Sequence, residues 1–458
     1  MDKEVQNIFK KPIVSIAKGS TYRESTIKAI ELLGGMKKFV KSGDVVVLKP
    51  NVMAIMGSPA ITHMDVIATV ALLCQEAGAK EVKVLESPVC GMPSRHVLEN
   101  TGYTDAFKEL GLTIHYPEEE EWVSLSIPQG VCMKSMSIPK VLAESDVFIT
   151  IPKAKTHEVT KVTLGIKNSH GILPDIDKAK HHRLRWTPEG ISSILEKFVD
   201  ILMGKKADLC VIDMFHAMEG QGPAFGDIVE MGLVLAGADV VAVDSVCEAL
   251  MGFDPMEIEL TRIAHERGIG IADLNQIEIV GEKIENHKRS FKRANPLPDL
   301  NIPPQMESCH GDSCLGCYMP LRYVLDVCNH FLTKDLTEIP PIGVQVGLNP
   351  PEPKVAEYIL CFGDCAIYTS QKAKQKYRLG KKYVDVPGCP PLGLEWAESF
   401  ARLVGKMSPA IQITTGALSF LETEESKLPR DFNPRRWWWD TKFAMEHQHE
   451  ISKYNLRI

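Results

Sequence analysis

The chain has 458 residues, a net charge of −7 and a sequence pI near 6.1, with 44% hydrophobic and 24% charged residues. That composition is globular rather than disordered, and the length calls for two or three domains. The acidic balance excludes a protein that mainly grips nucleic acid, and no apolar run reaches the roughly 18 residues needed to cross a bilayer.

The opening stretch, "MDKEVQNIFKKPIVSIAKGS", lacks the apolar core of a signal peptide, so a cytoplasmic location is expected. Over residues 1–290, short apolar runs alternate with amphipathic stretches. Five runs read as strands: "DVVVLKP" from Asp44, "EVKVLES" from Glu81, "DVFITIP" from Asp146, "DLCVID" from Asp208 and "QIEIVGE" from Gln276. Several are almost wholly aliphatic, as strands covered on both faces must be. The segments "STYRESTIKAIELLGGMKKFV", "HMDVIATVALLCQEAGA", "EGISSILEKFVDILMG" and "DVVAVDSVCEALMG" carry apolar residues at helical spacing. Thr62 and Asp239 fit as N-caps and Gly78 as a C-terminal stop. The expected fold class is α/β: a mainly parallel three-layer sheet domain over 1–290, then a smaller α/β, cysteine-rich domain over 300–458. Between them, "IENHKRSFKRANPLPDLNIPPQMES" has the prolines and polar start of a linker. The glutamate run Glu118–Glu121 reads as a solvated loop. The run Trp437–Trp439 reads as a C-terminal arm packed on the body or offered to a partner.

Twelve cysteines are unevenly placed, seven of them between Cys309 and Cys389. In a reducing compartment such a group points to metal or redox use rather than disulfides. "CHGDSCLGC" sets Cys309, Cys314 and Cys317 close together, and Cys328, "CFGDC" (Cys361, Cys365) and "VPGCPP" (Cys389) follow. A Cys-x-x-Cys loop aims two thiolates at one centre, and iron–sulfur clusters draw four, often from distant segments. The first spacing also suits a two-iron cluster, and four of these thiolates, or His310 in place of one, suit zinc.

The strings "FGDCA" and "VPGCPP" resemble the cluster-binding small subunits of nickel–iron hydrogenases and of respiratory complex I. That resemblance implies a 4Fe-4S cluster with Cys365 and Cys389 as its third and fourth ligands. The first two then fall to Cys314 and Cys317, in a loop that departs from those subunits. Cys309, Cys328 and Cys361 are left over for a second cluster.

The first 290 residues resemble the family called domain of unknown function 362. The matching strings are "GDVVVLKPNV", "IPKAKTHEVTKVTLGIKNSHGILP", "HHR", "DMFHAMEGQGPAFGD" and "LVLAGADVVAVDSVCEALMGFDP". The resemblance implies an α/β fold and an iron–sulfur association, and names no reaction.

Residue chemistry supplies the rest. Between Lys153 and Arg185 there are eight Lys/Arg and three Asp/Glu, a local excess of +5 on an acidic chain. Such a patch concentrates anions. Lys153, Lys155 and His157 follow a strand, and ligands of open α/β sheets bind at carboxyl ends of strands. These three are the expected catalytic residues, with the two lysine charges depressing each other's pKa. Lys49, Asn51, Lys167, Asn168, His170, His182 and Arg183 are the expected substrate-binding donors, Arg183 through paired hydrogen bonds. "EGQGPAFG" reads as a glycine loop after a strand ending at Asp213. It is neither a phosphate-binding Walker loop nor a dinucleotide fingerprint. Asp213, His216 and Glu219 offer metal or acid–base groups, and Asp244 reads as a buried tie for a neighbouring loop.

These readings converge on an iron–sulfur oxidoreductase that passes electrons from the four-iron cluster to an anionic substrate or cofactor in the first domain. The alternatives are a non-catalytic electron carrier or assembly factor docking on a redox partner protein, and an isomerase or lyase whose cluster is a Lewis acid or structural.

Overall fold

A computed structural model describes residues 11–89, 93–174, 177–178, 192–224 and 226–295. Beyond these it describes 300, 302–313, 317–318, 320–322, 324–325, 341–354, 356–369, 382–387 and 391. The chain divides into two compact units, and the first ends at Asn295.

The first unit is built on a mixed sheet of ten strands. Its strands are β1 (Ile13–Lys18), β2 (Val45–Pro50), β3 (Glu81–Leu85), β4 (Thr113–His115), β7 (Val147–Ile151), β8 (Lys153–His157), β9 (Lys161–Val162), β10 (Leu209–Glu219), β11 (Asp227–Gly237) and β12 (Glu278–Gly281). A separate hairpin joins β5 (Trp122–Ser126) to β6 (Ser135–Pro139). The main order is β12-β1-β11-β10-β7-β2-β3-β4, with β8 pairing β10 and β9. The run from β10 through β7, β2 and β3 to β4 is parallel, and β11 is antiparallel to both its neighbours. The fold is thus α/β and mostly parallel. Central β7 is buried at all five positions, as its largely apolar run, broken only by Thr150, requires.

Helices cover both faces. Of the adjacent β1 residues Val14 and Ser15, Ser15 donates to the carbonyl of Ala29 on α1 (Tyr22–Leu32). Val14 lies on the other face. Its β11 partner Gly237 packs there against Val243 of α5 (Val240–Leu250), so tightly that a Cβ would come within 2.7 Å. With α1 lies α2 (Met64–Ala77); with α5 lie α3 (Gly165–Asn168), α4 (Ser192–Gly204) and α6 (Glu259–Glu266). Alternation along β1 therefore creates the three layers.

Several expected signals act as read. Asp239 caps α5 by accepting from the amides of Val241 and Ala242, and Gly78 ends α2 at φ 100°, where a side chain would strain. The α2 cap is His63, one residue beyond Thr62, because its Nδ1 accepts from the Asp65 amide. Thr62 instead accepts from the Asn51 amide and donates to the Ile151 carbonyl, tying the ends of β2 and β7.

Two readings are corrected here. The strand expected to stop at Asp213 runs on to Glu219, because β11 gives it an antiparallel partner. The glycines of "EGQGPAFG" therefore serve a hairpin. A Cβ on Gly222 would sit 2.0 Å from the Thr156 carbonyl oxygen, so close packing against β8 explains that glycine.

The second unit holds a fully parallel sheet in the order β13 (Met306–His310), β14 (Ile342–Val346), β15 (Tyr358–Phe362), β16 (Lys382–Val386). Leu321, Leu325, Val344, Leu360 and Phe362 share one core, and Ile359, Cys361 and Ala366 lie in another. The helix expected over "IYTSQKAKQKYRL" is described only to Thr369, and that over "LGLEWAESFARLVG", like Trp437–Trp439, lies outside the described residues. No described helix is long and apolar enough to cross a membrane.

Candidate functional site

The parallel strands of the first unit end together, and their ends carry lysines that point inward. Lys49, at the end of β2, is 1% exposed and Lys153 and Lys155, on β8, are 0% and 1% exposed. Sequence reasoning set these donors along an open basic crevice; the structure makes them interior. Flanking β7 and β10 are packed on both sides, so a side chain leaving their neighbours enters the core.

Lys49 Nζ contacts Glu86 Oε2 and Oε1 at 3.0 and 3.2 Å, Asn168 Oδ1 at 3.2 Å and the Pro50 carbonyl at 3.0 Å. Burial presses both members of the Lys49–Glu86 pair toward their neutral forms, and their mutual attraction opposes it. Asn168 binds back through Nδ2 to the Lys49 carbonyl and to Thr150 Oγ1. The turn that presents Asn168 and Lys167 hangs on Asp244, whose two oxygens accept from the amides of Gly165 (2.7 Å) and Ile166 (2.8 Å). The expected role of Asp244 as a loop tie is what the geometry shows, and burial pushes its carboxyl up to about 8.

Lys153 Nζ lies 2.7 Å from Asp213 Oδ2, with both side chains sealed from solvent. Asp213 also accepts from the amides of His63 (2.9 Å) and Phe215 (3.2 Å). Lys155 differs. Its Nζ has the Ala60 carbonyl at 2.5 Å and Met53 Sδ at 3.1 Å, and no carboxylate within ion-pair distance among the described residues. Burial first, then the charges of Lys167 and Lys153, pull its pKa well below the ordinary lysine value. Lys167 is half-buried, 5.5 Å from the Phe198 ring centre, and burial with the Lys49 charge brings it down to about 8.

The other expected residues are placed as follows. The amides of Val159 and Thr160 donate to His157 Nδ1, so this ring organises the turn between β8 and β9. The backbone of Asn51 pairs with Thr62, and His170 meets Phe198 edge to face at 5.0 Å. His182 and Arg183 lie outside the described residues. Asp213, His216 and Glu219 do not converge: Asp213 pairs with Lys153, His216 Nδ1 lies 2.5 Å from the Tyr22 hydroxyl, and Glu219 accepts from the Lys292 amide. Among the described residues no cluster of three or more His, Cys, Asp or Glu is placed to hold a metal.

Sequence reasoning missed Glu86, Ser58, Tyr22 and His63. Each belongs to an element distant in the chain from the lysines it serves. It also missed Lys178 and Lys197, both buried, with Nζ on the carbonyls of Pro88 (Lys178) and of Asp177 and Lys178 (Lys197).

In the second unit, Gly363, whose φ is 91°, turns the chain at the end of β15, and Cys365 lies two residues on, in the helical segment that follows. Cys317 follows β13 and is buried, and Cys309 and Cys361 lie within strands β13 and β15. Cys314, Cys328 and Cys389 lie outside the described residues.

The first unit is thus an α/β protein with a buried lysine–carboxylate cluster at the carboxyl ends of its strands. Residues 46–249 match the family described as a domain of unknown function, DUF362. Over 261 residues the chain is 34% identical to a thylakoid-associated protein of Synechocystis sp., a match covering 56% of this chain and 78% of that one. The chain belongs to the DUF362 family. Among solved structures it is similar to the lactate racemase apoprotein of Thermoanaerobacterium thermosaccharolyticum, at 13% identity and a TM-score of 0.36, over 53% of this chain and 58% of that one. It is also similar to a Thermotoga maritima protein, at 15% identity and a TM-score of 0.31, over 52% and 60%. The chain spans less than two thirds of each of those two structures.

Proposed function

We propose that the protein is a cytoplasmic iron–sulfur oxidoreductase whose first unit binds a small anionic substrate or cofactor at the strand-end lysines. The observation that carries the anion site is a charge surplus. Lys49, Lys153 and Lys155 are buried, and among the described residues Glu86 and Asp213 are the buried carboxylates paired with them. A buried ammonium without a counter-charge is costly, so Lys155 either loses its proton or acquires an anion. As a neutral amine it is a base; as an ammonium beside Lys167 it is an anion receptor.

The redox half of the proposal rests on the second unit. Strands β13, β15 and β16 are parallel, so the chain leaves all three at the same edge of the sheet. Cys317 and Cys365 follow two of those exits, and a 4Fe-4S cluster would be held by Cys314, Cys317, Cys365 and Cys389. The support for that group is that Cys317 and Cys365 each follow a strand exit at the same end of the sheet, while Cys314 and Cys389 lie outside the described residues. The cluster would supply one-electron transfer, and a redox partner protein would load it.

The test is calorimetric titration of anaerobically prepared protein with phosphate and with simple hydroxy- and oxo-acids, alongside iron and sulfide analysis. Millimolar or tighter binding of one anion, abolished by Lys155→Met, supports the site. Absence of binding by every anion of the panel removes it, and protein without iron and sulfide removes the redox half.

A further inference from the structure

The geometry points to Lys155 as a site of reversible carbamylation, in which carbon dioxide adds to its buried amine and turns it into an anion. This goes beyond the reading above and stands whether or not an external anion binds.

The hydrogen-bond count at Nζ carries the inference. Both partners of Lys155 are acceptors, the Ala60 carbonyl at 2.5 Å and Met53 Sδ at 3.1 Å. An ammonium has three N–H groups to place; a neutral amine has two, and a lone pair. Two acceptors therefore satisfy the amine and leave its lone pair free. They leave one N–H of an ammonium unmet on a residue 1% exposed, which is costly. Lys49 is surrounded in the opposite way, since two carboxylate oxygens, an amide oxygen and a carbonyl face its Nζ. Burial first, then the charges of Lys167 and Lys153, hold Lys155 well below the ordinary lysine value, in keeping with a resting amine.

Charge gives the modification its direction. Glu86 answers Lys49 and Asp213 answers Lys153. Lys155 and Lys167 have no carboxylate within ion-pair distance among the described residues. Lys167 stands on α3, and the segment leading into α3 is tied to β8 at this point: the Thr163 amide donates to the Lys155 carbonyl at 2.8 Å. Lys153, two residues from Lys155 along β8, emerges on the same side of the strand. A carboxylate on Lys155 turns a corner with an unanswered positive charge into one that holds a charge of each sign.

Access selects the electrophile. The loop Val52–Ile61 roofs both lysines of β8, because its Ser58 hydroxyl accepts from Lys153 Nζ at 3.3 Å while Met53 and Ala60 hold Lys155. Hydrogen bonds between Asn51 and Thr62 close the neck of that loop. Carbon dioxide is small and uncharged, so it passes such a roof without desolvating a charge. Met53 supplies the room. The Val89 amide fixes its backbone at 2.9 Å, but its side chain is partly exposed and unbranched, and it swings aside. The N–H that the product keeps still donates to the Ala60 carbonyl.

The step balances. The Nζ lone pair bonds to carbon, one C–O π pair moves onto oxygen, and one Nζ proton passes through water to bicarbonate. Nothing is oxidised or reduced. A carboxylated Lys155 no longer receives an outside anion, so carbon dioxide and that anion compete for one residue.

The test is carbon-13 NMR of the full chain, labelled with nitrogen-15 lysine and equilibrated with carbon-13 bicarbonate in mildly alkaline buffer. A lysine carbamate gives a carbonyl resonance split by its nitrogen-15, whereas the unlabelled α-amino group gives an unsplit one. One split resonance is expected in the native protein, lost entirely in Lys155→Met and in Lys155→Gln. Trapping with triethyloxonium followed by peptide mass spectrometry locates the carbamate without any substitution, and is expected to find it on Lys155. A native protein with no split resonance, or a trapped carbamate on other lysines and not on Lys155, overturns the proposal. Failure of every anion to bind would remove the reading above and leave the carbamate signal in place.

Discussion

Lys155 offers the sharpest contrast with its neighbours. Replacing Lys153 by Met leaves Asp213, fully buried, without its ammonium and with only two amides. Replacing Lys49 by Met leaves Glu86, 2% exposed, with only the Val52 amide. Breaking a buried pair from one side costs about 3–5 kcal/mol, and the remaining amides place both variants near the lower end. Lys155→Met strands no charge. The Ala60 carbonyl loses one hydrogen bond, worth about 1–3 kcal/mol, and removal of a desolvated amine offsets it in a pocket Met fills well. Its net cost is therefore expected within about 1 kcal/mol. Function should move the other way: losing one charge-assisted contact of about 1.5–3 kcal/mol weakens anion binding by more than about tenfold. Guanidinium denaturation followed by far-ultraviolet circular dichroism gives the first quantity, and calorimetric titration gives the second. If Lys155→Met unfolds at the same low denaturant as Lys153→Met, or binds the anion as the native protein does, the reasoning about a surplus lysine is wrong.

Anion affinity should decline as pH rises through about 8, where Lys167 loses its proton, and a Lys167→Met variant should show a flat profile over that range. Asp244 and Glu248 both have folded-state values raised above the usual carboxylate range by burial, Asp244 to about 8. A raised carboxyl stabilises the fold fully below its unfolded value near 4 and loses that contribution as pH climbs through the folded one. Stability should therefore fall between about pH 4 and 8, and Glu248→Gln should reduce that slope in denaturation measured across the range. Under anaerobic preparation Cys365→Ser should remove the visible absorption of the cluster, and Cys361→Ser, within β15, should leave it intact; equal loss in both would assign the ligands differently.

The parallel centre of the sheet was legible because the strands around Val147 and Val45 are near-continuous apolar runs, a pattern that burial on two faces demands. Caps at Asp239 and Gly78 were legible for the same local reason. The strands Ile13–Lys18 and Asp227–Gly237 were not singled out. Asp227–Gly237 alternates at its start and then runs apolar straight into a helix, so periodicity alone does not separate the two. The candidate lysines were found from charge and position, but their burial was not, since a lysine at a strand end reads as solvated until its partner is known. Glu86 lies 37 residues from Lys49 and Asp213 lies 60 from Lys153, separations that only the sheet order closes.

The Lys153–Asp213 pair also has a bearing on assembly. Lys153 and Asp213 are direct partners in the pairing of β8 with β10, beside a point where β10 changes register against β8 and against β11. Strand pairing slips by one residue at little backbone cost, and each slip exchanges the two faces. A slipped β8 would carry a lysine into the core opposite the wrong residue and leave Asp213 stranded. The two charges thus act as a key and its keyway: they penalise every alignment but one and proofread this corner of the sheet.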